Sequence, residues 1–282
     1  MSPDSTGPWR VATNFESTSL GSIHHDDQAR RLGFSGGLVG GNIHLVYVTA
    51  ALVERFGPAW YERGFLVFKW ALPVYDGEEV RVVLVDRAPA PSDEAVVGFT
   101  LSKRDGGAAC TGFAGLARSV DDAIVPWQRG DALPDPSPGD YDPLPEPIGH
   151  VYESPILTLD QAAVDQVQCG GDPHPWYRES SPWGPPIVPT AAQLVLSPYG
   201  MKWAPEPIAR EMRSAMNATI EILQTGPMLQ GVPYRRSATL VAKGTGRYAF
   251  RTIEFACRPL DGDPVVSYRQ TVKWPTSRPA HS

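Results

Sequence analysis

LVGGNIHLVYVTAALVERFG, residues 38–57, decides the fold. Two glycines, Gly40 and Gly41, follow Leu38-Val39. Ile43, Val46, Tyr47, Ala50, Ala51 and Val53 then recur at roughly the helical spacing, up to Glu54-Arg55 and a closing glycine, which predicts a helix over 42–57. A helix apolar on almost every side has to be covered on most sides. A curved antiparallel sheet wrapped around it does so. The segments that follow are suited to that role. GFLVFKWALPVYDGEEVRVVLVDRA, AVVGFTLSKRDGG and ACTGFAGLARS are rich in Val and Phe, alternate in polarity and are separated by glycine turns.

The same order returns later in the chain. TLDQAAVDQVQCGG reads as a helix, DPHPWYRESSPWGPPIVPT as a loop, and a second apolar helix begins near Ala191. Strand segments over 214–246, 247–262 and 264–274 complete the set. GGLVGGNIHL aligns with PPIVPTAAQL, a turn opening directly into the apolar helix. FKWALPVYDGEEVRVVLVDR aligns with IEILQTGPMLQGVPYRRSATLVAKG: strand, Pro, Gly, strand. A repeat this long is a duplicated domain rather than a solenoid. Between the copies, residues 125–150 are dense in Pro, Asp and Gly, a composition that makes a stiff extended connector. The expected organisation is an α+β fold with an N-terminal unit over 1–124, a linker over 125–150 and a C-terminal unit over 151–282.

Composition narrows the function. The chain has 282 residues, 42% hydrophobic and 20% charged, as expected of a globular protein. A formal net charge of −6 argues against a nucleic-acid partner, because no basic stripe is present to meet phosphates. No apolar run is long enough for a membrane span, and MSPDSTGPWR lacks the apolar core of a signal peptide, so a cytoplasmic location is expected. Cys110, Cys169 and Cys257 are scattered, without metal-binding spacing, and read as reduced thiols. Neither a cofactor nor a metal is expected. GFSGG, residues 33–37, matches a nucleophile elbow in letters only, because a charged helix rather than a buried strand precedes Ser35. Asn217 begins an NAT sequon, which is moot without a secretory route.

The double unit with these residues resembles the hotdog fold, and specifically the MaoC-like acyl-thioester hydratase/dehydratase superfamily in its two-copy, double-hotdog form. The family pattern is D-x-N-P-x-H-x-D, an Ala, Gly-Phe, then P-I-x-H-G before the central helix. His24, Asp26, Ala29, Gly33-Phe34, Leu38 and Gly41 fall on the corresponding positions, and LPVYDGEEV is similar to the family's strand turn. In the second half, GDPHPWY is similar to the start of the motif, with Asp172 and Pro175 retained. The departures are specific. Ser19 stands where the motif has its first aspartate, Gly21 where it has asparagine, and Gly40 where it has the helix-mouth histidine. His174 and Tyr177 stand for the second half's asparagine and histidine.

Dehydration of a 3-hydroxyacyl thioester needs a base for the α-proton, an acid for the departing hydroxyl, and stabilisation of charge on the thioester oxygen. The start of the central helix supplies the last through its free N–H groups and positive dipole end. Gly41, with Gly40 and Asn42 beside it, is the expected oxyanion and substrate-binding position. His24 is the expected catalytic base. Asp26 either orients His24 or, with Asp27, caps a short helix that Gly33 stops. Asp172 and His174 are candidate acid/base groups of the second half, with Tyr177 as a hydrogen-bond donor to substrate. The resemblance implies an acyl-CoA or acyl-carrier-protein substrate, its arm running between the halves, and leaves room for a homodimer. Three activities stay open: hydration/dehydration, thioester hydrolysis, and a cyclase or binding role toward a polyketide-like molecule.

Overall fold

The computed structural model describes residues 5–128, 146–152, 156–169, 171, 174–195, 215–245 and 248–275. The first half runs β1 (Ser5–Thr6), β2 (Arg10–Val11), α1 (Asp26–Arg31), α2 (Gly41–Phe56), α3 (Ala59–Arg63), β3 (Gly64–Trp70), β4 (Glu79–Arg87), β5 (Asp93–Lys103) and β6 (Ala108–Ala117). The second half runs β7 (Val151–Tyr152), β8 (Leu157–Thr158), α4 (Gln161–Gln168), α5 (Thr190–Val195), β9 (Met216–Gln224), β10 (Pro233–Thr245), β11 (Tyr248–Pro259) and β12 (Val266–Pro275). All twelve strands belong to one sheet, ordered β1-β4-β5-β6-β3-β9-β12-β11-β10-β7, with β2 on β4 and β8 on β10.

The halves meet strand to strand. β3 pairs antiparallel with β9, Phe65 opposite Leu223 and Lys69 opposite Thr219, so one continuous sheet serves both central helices. α2 packs against α4 and α5, and buries Ile43, Leu45, Val46, Tyr47, Val48, Leu52 and Val53. Each such side chain stabilises the fold by about 1.5–3 kcal/mol through removal from water. Gly64–Phe68 of β3 are buried on both faces. Leu66 and Phe68 join the main core, whereas the opposite face lies under the turn Pro126–Gln128, where the linker segment begins.

The duplication is visible in the geometry. Leu38 bridges to Tyr75 in the first half, and Ile187 bridges to Leu229 in the second. The following turns carry Gly77 at φ 80° and Gly231 at φ 75°, a conformation that a β-carbon disfavours. The repeat GGLVGG/PPIVPT therefore places the starts of α2 and α5 at equivalent points of the two halves.

Two local details differ from the sequence reading. α1 is capped by His25, whose ring accepts from the backbone N–H of Asp27, one residue earlier than the Asp26 cap expected. Asp26 and Asp27 occupy the first turn, where their charge favours the helix dipole, and Gly33 follows the last turn at φ 89°. The five-residue α3 was not anticipated. It follows Gly57-Pro58, which reads as a turn in sequence.

Candidate active site

α2 begins without a side-chain cap: its N-cap residue is Gly40. The first N–H groups of a helix have no intrahelical acceptor. Ile43 N–H is satisfied by the Gly40 carbonyl, and the chain at Gly41 and Asn42 opens onto a cavity of about 600 Å³. The cavity lies between the halves. Ser22–His24, Leu38, Val39, Gly41, Asn42, His44, Leu45 and the end of β3 form one wall; Met216–Ile220 of β9, with Gln270 and Val272 of β12, form the other.

His24 is held at this mouth by its backbone and its ring. Leu38 N–H donates to the Ile23 carbonyl, Asn14 Nδ2 donates to the His24 carbonyl, and a β-carbon at Gly37 would collide with that same carbonyl. The segment Gly37–Val39 therefore runs tight against Ile23-His24. His24 Nδ1 lies 2.7 Å from the Leu38 carbonyl, which cannot donate, so Nδ1 carries the proton and donates it there. That leaves Nε2 as the reactive edge. The carboxylate of Glu16 stands 3.6 Å from Nε2, and a β-carbon at Gly40 would lie 3.6 Å from Glu16 Oε1. An acid, an imidazole and an uncapped helix start thus converge on one cavity mouth.

The second half contributes an amide pair. Gln270 Nε2 donates to Asn217 Oδ1 at 2.7 Å, which fixes the Asn217 amide so that Nδ2 faces Gly41. A β-carbon at Gly41 would approach Asn217 Nδ2 to 2.7 Å and the Trp70 indole nitrogen to 3.0 Å. Trp70 Nε1 donates to the Gly41 carbonyl at 3.3 Å. Glycine at 41 is what lets these donors stand so close to the helix start. His44, one turn into α2, lies in the same wall; burial lowers its pKa to about 4.

The sequence-derived residues separate. His24, Gly41 and Asn42 line the cavity, and Gly40 caps the helix beside them. Asp26 is turned away from it: its carboxylate accepts from Gly37 N–H at 2.8 Å and from Arg30 at 2.7 Å, which lowers its pKa, the Gly37 bond having the larger effect. His174 caps the turn Pro175–Tyr177, accepting from Trp176 N–H at 3.2 Å, and burial lowers its pKa. Tyr177 is buried with its hydroxyl 3.0 Å from that of Tyr61, and burial pushes its pKa up to about 12. Neither residue lines the cavity. Asp172 lies outside the described residues.

The start of α5, equivalent to that of α2, is sealed. Thr190 stands where α2 has Gly41, and its hydroxyl accepts from Trp60 Nε1 at 2.9 Å and Gln224 Nε2 at 3.1 Å. Thr190, Ala191, Gln193, Gln224 and Trp60 are all at most 1% exposed. Gly41 and Asn42 are by contrast half-buried and border the cavity, so the start of α2 keeps an opening that the start of α5 lacks.

Glu16, His44, Asn217 and Gln270 were not recognised in the sequence as site residues. Glu16 had one available signal, since it is a carboxylate eight residues before His24, close to the position where the motif aspartate is lost to Ser19. Asn217 and Gln270 approach only through the β3–β9 junction. Among the described residues, no group of three or more His, Cys, Asp or Glu side chains could hold a metal ion, and no helix is long and apolar enough to cross a membrane.

No protein-family profile matches the chain, and no curated protein matches it. Solved structures do. A protein described as a MaoC-domain dehydratase from Chloroflexus aurantiacus superposes with a TM-score of 0.67 at 15% identity, over 98% of this chain and 95% of its own. A double-hotdog protein from Mycobacterium tuberculosis gives 0.62 at 11% identity, over 97% and 96%. An acyl-ACP thioesterase from Bacteroides thetaiotaomicron gives 0.50 at 10% identity, over 95% and 97%. At these identities the likeness establishes the double-hotdog fold.

Proposed function

We propose that this double-hotdog chain is an acyl-thioester enzyme that adds water to, or removes it from, the α,β-carbons of an enoyl/3-hydroxyacyl group. The observation that carries the reading is the Glu16–His24 pair at the uncapped start of α2. Loss of the motif aspartate at Ser19 had left His24 without its carboxylate, and Glu16 supplies one by a different route along the chain. The neighbours described as MaoC-like dehydratases support the same reaction class.

In the hydration direction the thioester oxygen sits at the Gly41 and Asn42 N–H groups, where the helix end stabilises the enolate charge as it forms. Glu16 takes one proton from a water as its oxygen adds to the β-carbon. Protonated His24 delivers the proton from Nε2 to the α-carbon. The proton left on Glu16 then returns to His24 Nε2, and both groups are restored. Dehydration is the reverse. Asn42, half-buried at the mouth, borders the thioester, and Asp26 maintains the Gly37 turn that seats His24. Lys69, Arg251 and Lys273 line the same cavity, and among the described lining residues Glu16 is the one acid. In a chain of net charge −6 that local excess of cations supports a phosphate-bearing arm, as in CoA or a carrier-protein pantetheine. The sealed α5 end supports one site per chain, which leaves His174 and Tyr177 in packing roles.

Hydrolysis is the second reading, because Glu16 can equally activate water for attack at the thioester carbon held by the same helix end. An enoyl-CoA panel followed simultaneously by enone absorbance and free thiol separates the two. Absorbance loss without thiol is the expected result. Thiol release assigns hydrolysis. Neither signal on any chain length overturns an acyl-thioester enzyme. His24→Ala abolishes the activity found, and full retention refutes the site.

A further inference from the structure

His44 has no role in the chemistry above, yet it is a polar side chain in the cavity wall, 3% exposed. Its Nδ1 lies 3.4 Å from Cys110 Sγ on β6, and its Nε2 is buried without a hydrogen-bond partner. Burial pushes the Cys110 thiol well up and holds His44 down at about 4, so at neutral pH the pair is an intact S–H beside an uncharged imidazole. The thiol retains a proton that it can donate to Nδ1, and a neutral imidazole accepting at Nδ1 carries its own proton on Nε2. With the thiol as donor, the ring presents an N–H on its opposite edge, at the buried Nε2. An unmet buried donor costs about 1–3 kcal/mol and is a signal that something else completes the site. Side chains in the first turn of a helix lean back toward its start, here toward Gly41.

Building on the thioester reading, we infer that His44 Nε2–H donates to an oxygen of the bound acyl group, with Cys110 as the positioning residue that sets the tautomer. The chemistry is an uncharged or developing-anionic oxygen acceptor, met either at the thioester carbonyl or at an oxygen on the acyl chain. No covalent step is involved.

Three inert CoA analogues distinguish the sources: S-butyl-CoA with no acyl oxygen, the dethia ketone analogue of butyryl-CoA with the carbonyl alone, and S-(3-hydroxybutyl)-CoA with the chain oxygen alone. Their affinities are measured by calorimetry on wild type and His44→Phe. The expected result is a loss of about tenfold for one oxygenated analogue and little change for S-butyl-CoA. A loss on the ketone assigns the thioester oxygen, and a loss on the hydroxybutyl compound assigns the chain oxygen. Equal affinity ratios in the two proteins overturn the inference and leave the thioester reading standing. No binding of any analogue to wild type overturns both.

A variant-free arm guards against misfolding of His44→Phe. Long-range ¹H–¹⁵N spectra of the wild type show the His44 ring as the Nε2–H tautomer, and its Nε2 resonance moves with the recognised analogue but not with S-butyl-CoA. Cys110→Ser keeps that tautomer signature and the affinity ratio; Cys110→Val loses both. An Nδ1–H tautomer in the wild type, or an Nε2 resonance indifferent to all three compounds, overturns the inference.

Discussion

Glu16→Gln separates a catalytic pair from an incidental ion pair, because the two roles differ in magnitude. Glu16 and His24 are 3.6 Å apart, but the Glu16 side chain is 50% exposed. Attraction between unit charges at that distance in near-aqueous surroundings is about 1 kcal/mol, and measured exposed pairs contribute about 0.2–1 kcal/mol. Replacing the carboxylate by an amide of the same shape therefore changes stability by less than about 1 kcal/mol, a Tm shift of at most a few degrees for a chain of this size. If Glu16 moves the water proton, its loss removes a general acid–base group, worth about 10²–10⁴ in rate. The assay is kcat/KM for enoyl-CoA hydration beside a thermal melt of the same preparation. The expected outcome is a rate lower by at least two orders of magnitude with a nearly unchanged melt. A variant within about threefold of wild-type kcat/KM refutes the role of Glu16, and so does a rate loss that merely follows a large drop in Tm.

Three further outcomes follow from other parts of the molecule. Gly41→Ala brings a β-carbon to within 2.7 Å of Asn217 Nδ2 and 3.0 Å of Trp70 Nε1, so the donors around the helix start shift; kcat/KM falls by roughly tenfold to a hundredfold in steady-state kinetics. Tyr61→Phe strands the buried Tyr177 hydroxyl and costs about 1–3 kcal/mol in urea unfolding, whereas Tyr177→Phe costs less because Tyr61 keeps its hydrogen bond to Thr190, and both keep wild-type kcat/KM. His44 has a folded pKa of about 4 against 6.5 in the unfolded chain, so between these values the unfolded state binds the extra proton. Stability therefore falls as pH drops from 6.5 toward 4, by up to about 3 kcal/mol from this residue, and His44→Gln flattens that part of the curve of unfolding free energy against pH.

The fold was legible because its determinants are local. The apolar run of α2, the glycine pair before it and the repeated strand–Pro–Gly–strand turn all specify conformation within a few residues, and the structure carries them at Leu38/Ile187 and Gly77/Gly231. Much of the candidate site is not local. Asn217 reads in sequence as the start of a sequon, and only the pairing of β3 with β9 brings it to Gly41. His44 looks like one more buried position of an apolar helix until Cys110, sixty-six residues later, is placed beside it. GDPHPWY kept the letters of a motif, but letters do not show that His174 caps a turn or that Tyr177 faces Tyr61. Glu16 shows the converse: the expected spacing was lost at Ser19 while a carboxylate still reached His24, because the turns between 16 and 24 fold back on themselves.

The central claim is that the thioester oxygen meets the start of α2 while the reacting carbons lie between Glu16 and His24. A crystal structure with the inert dethia ketone analogue of butyryl-CoA tests it directly. The account predicts the ketone oxygen within hydrogen-bond distance of the Gly41 and Asn42 N–H groups, and the α- and β-carbons beside His24 Nε2 and the Glu16 carboxylate. An analogue bound at the α5 end, or lying in the cavity with its ketone turned away from Gly41, contradicts it.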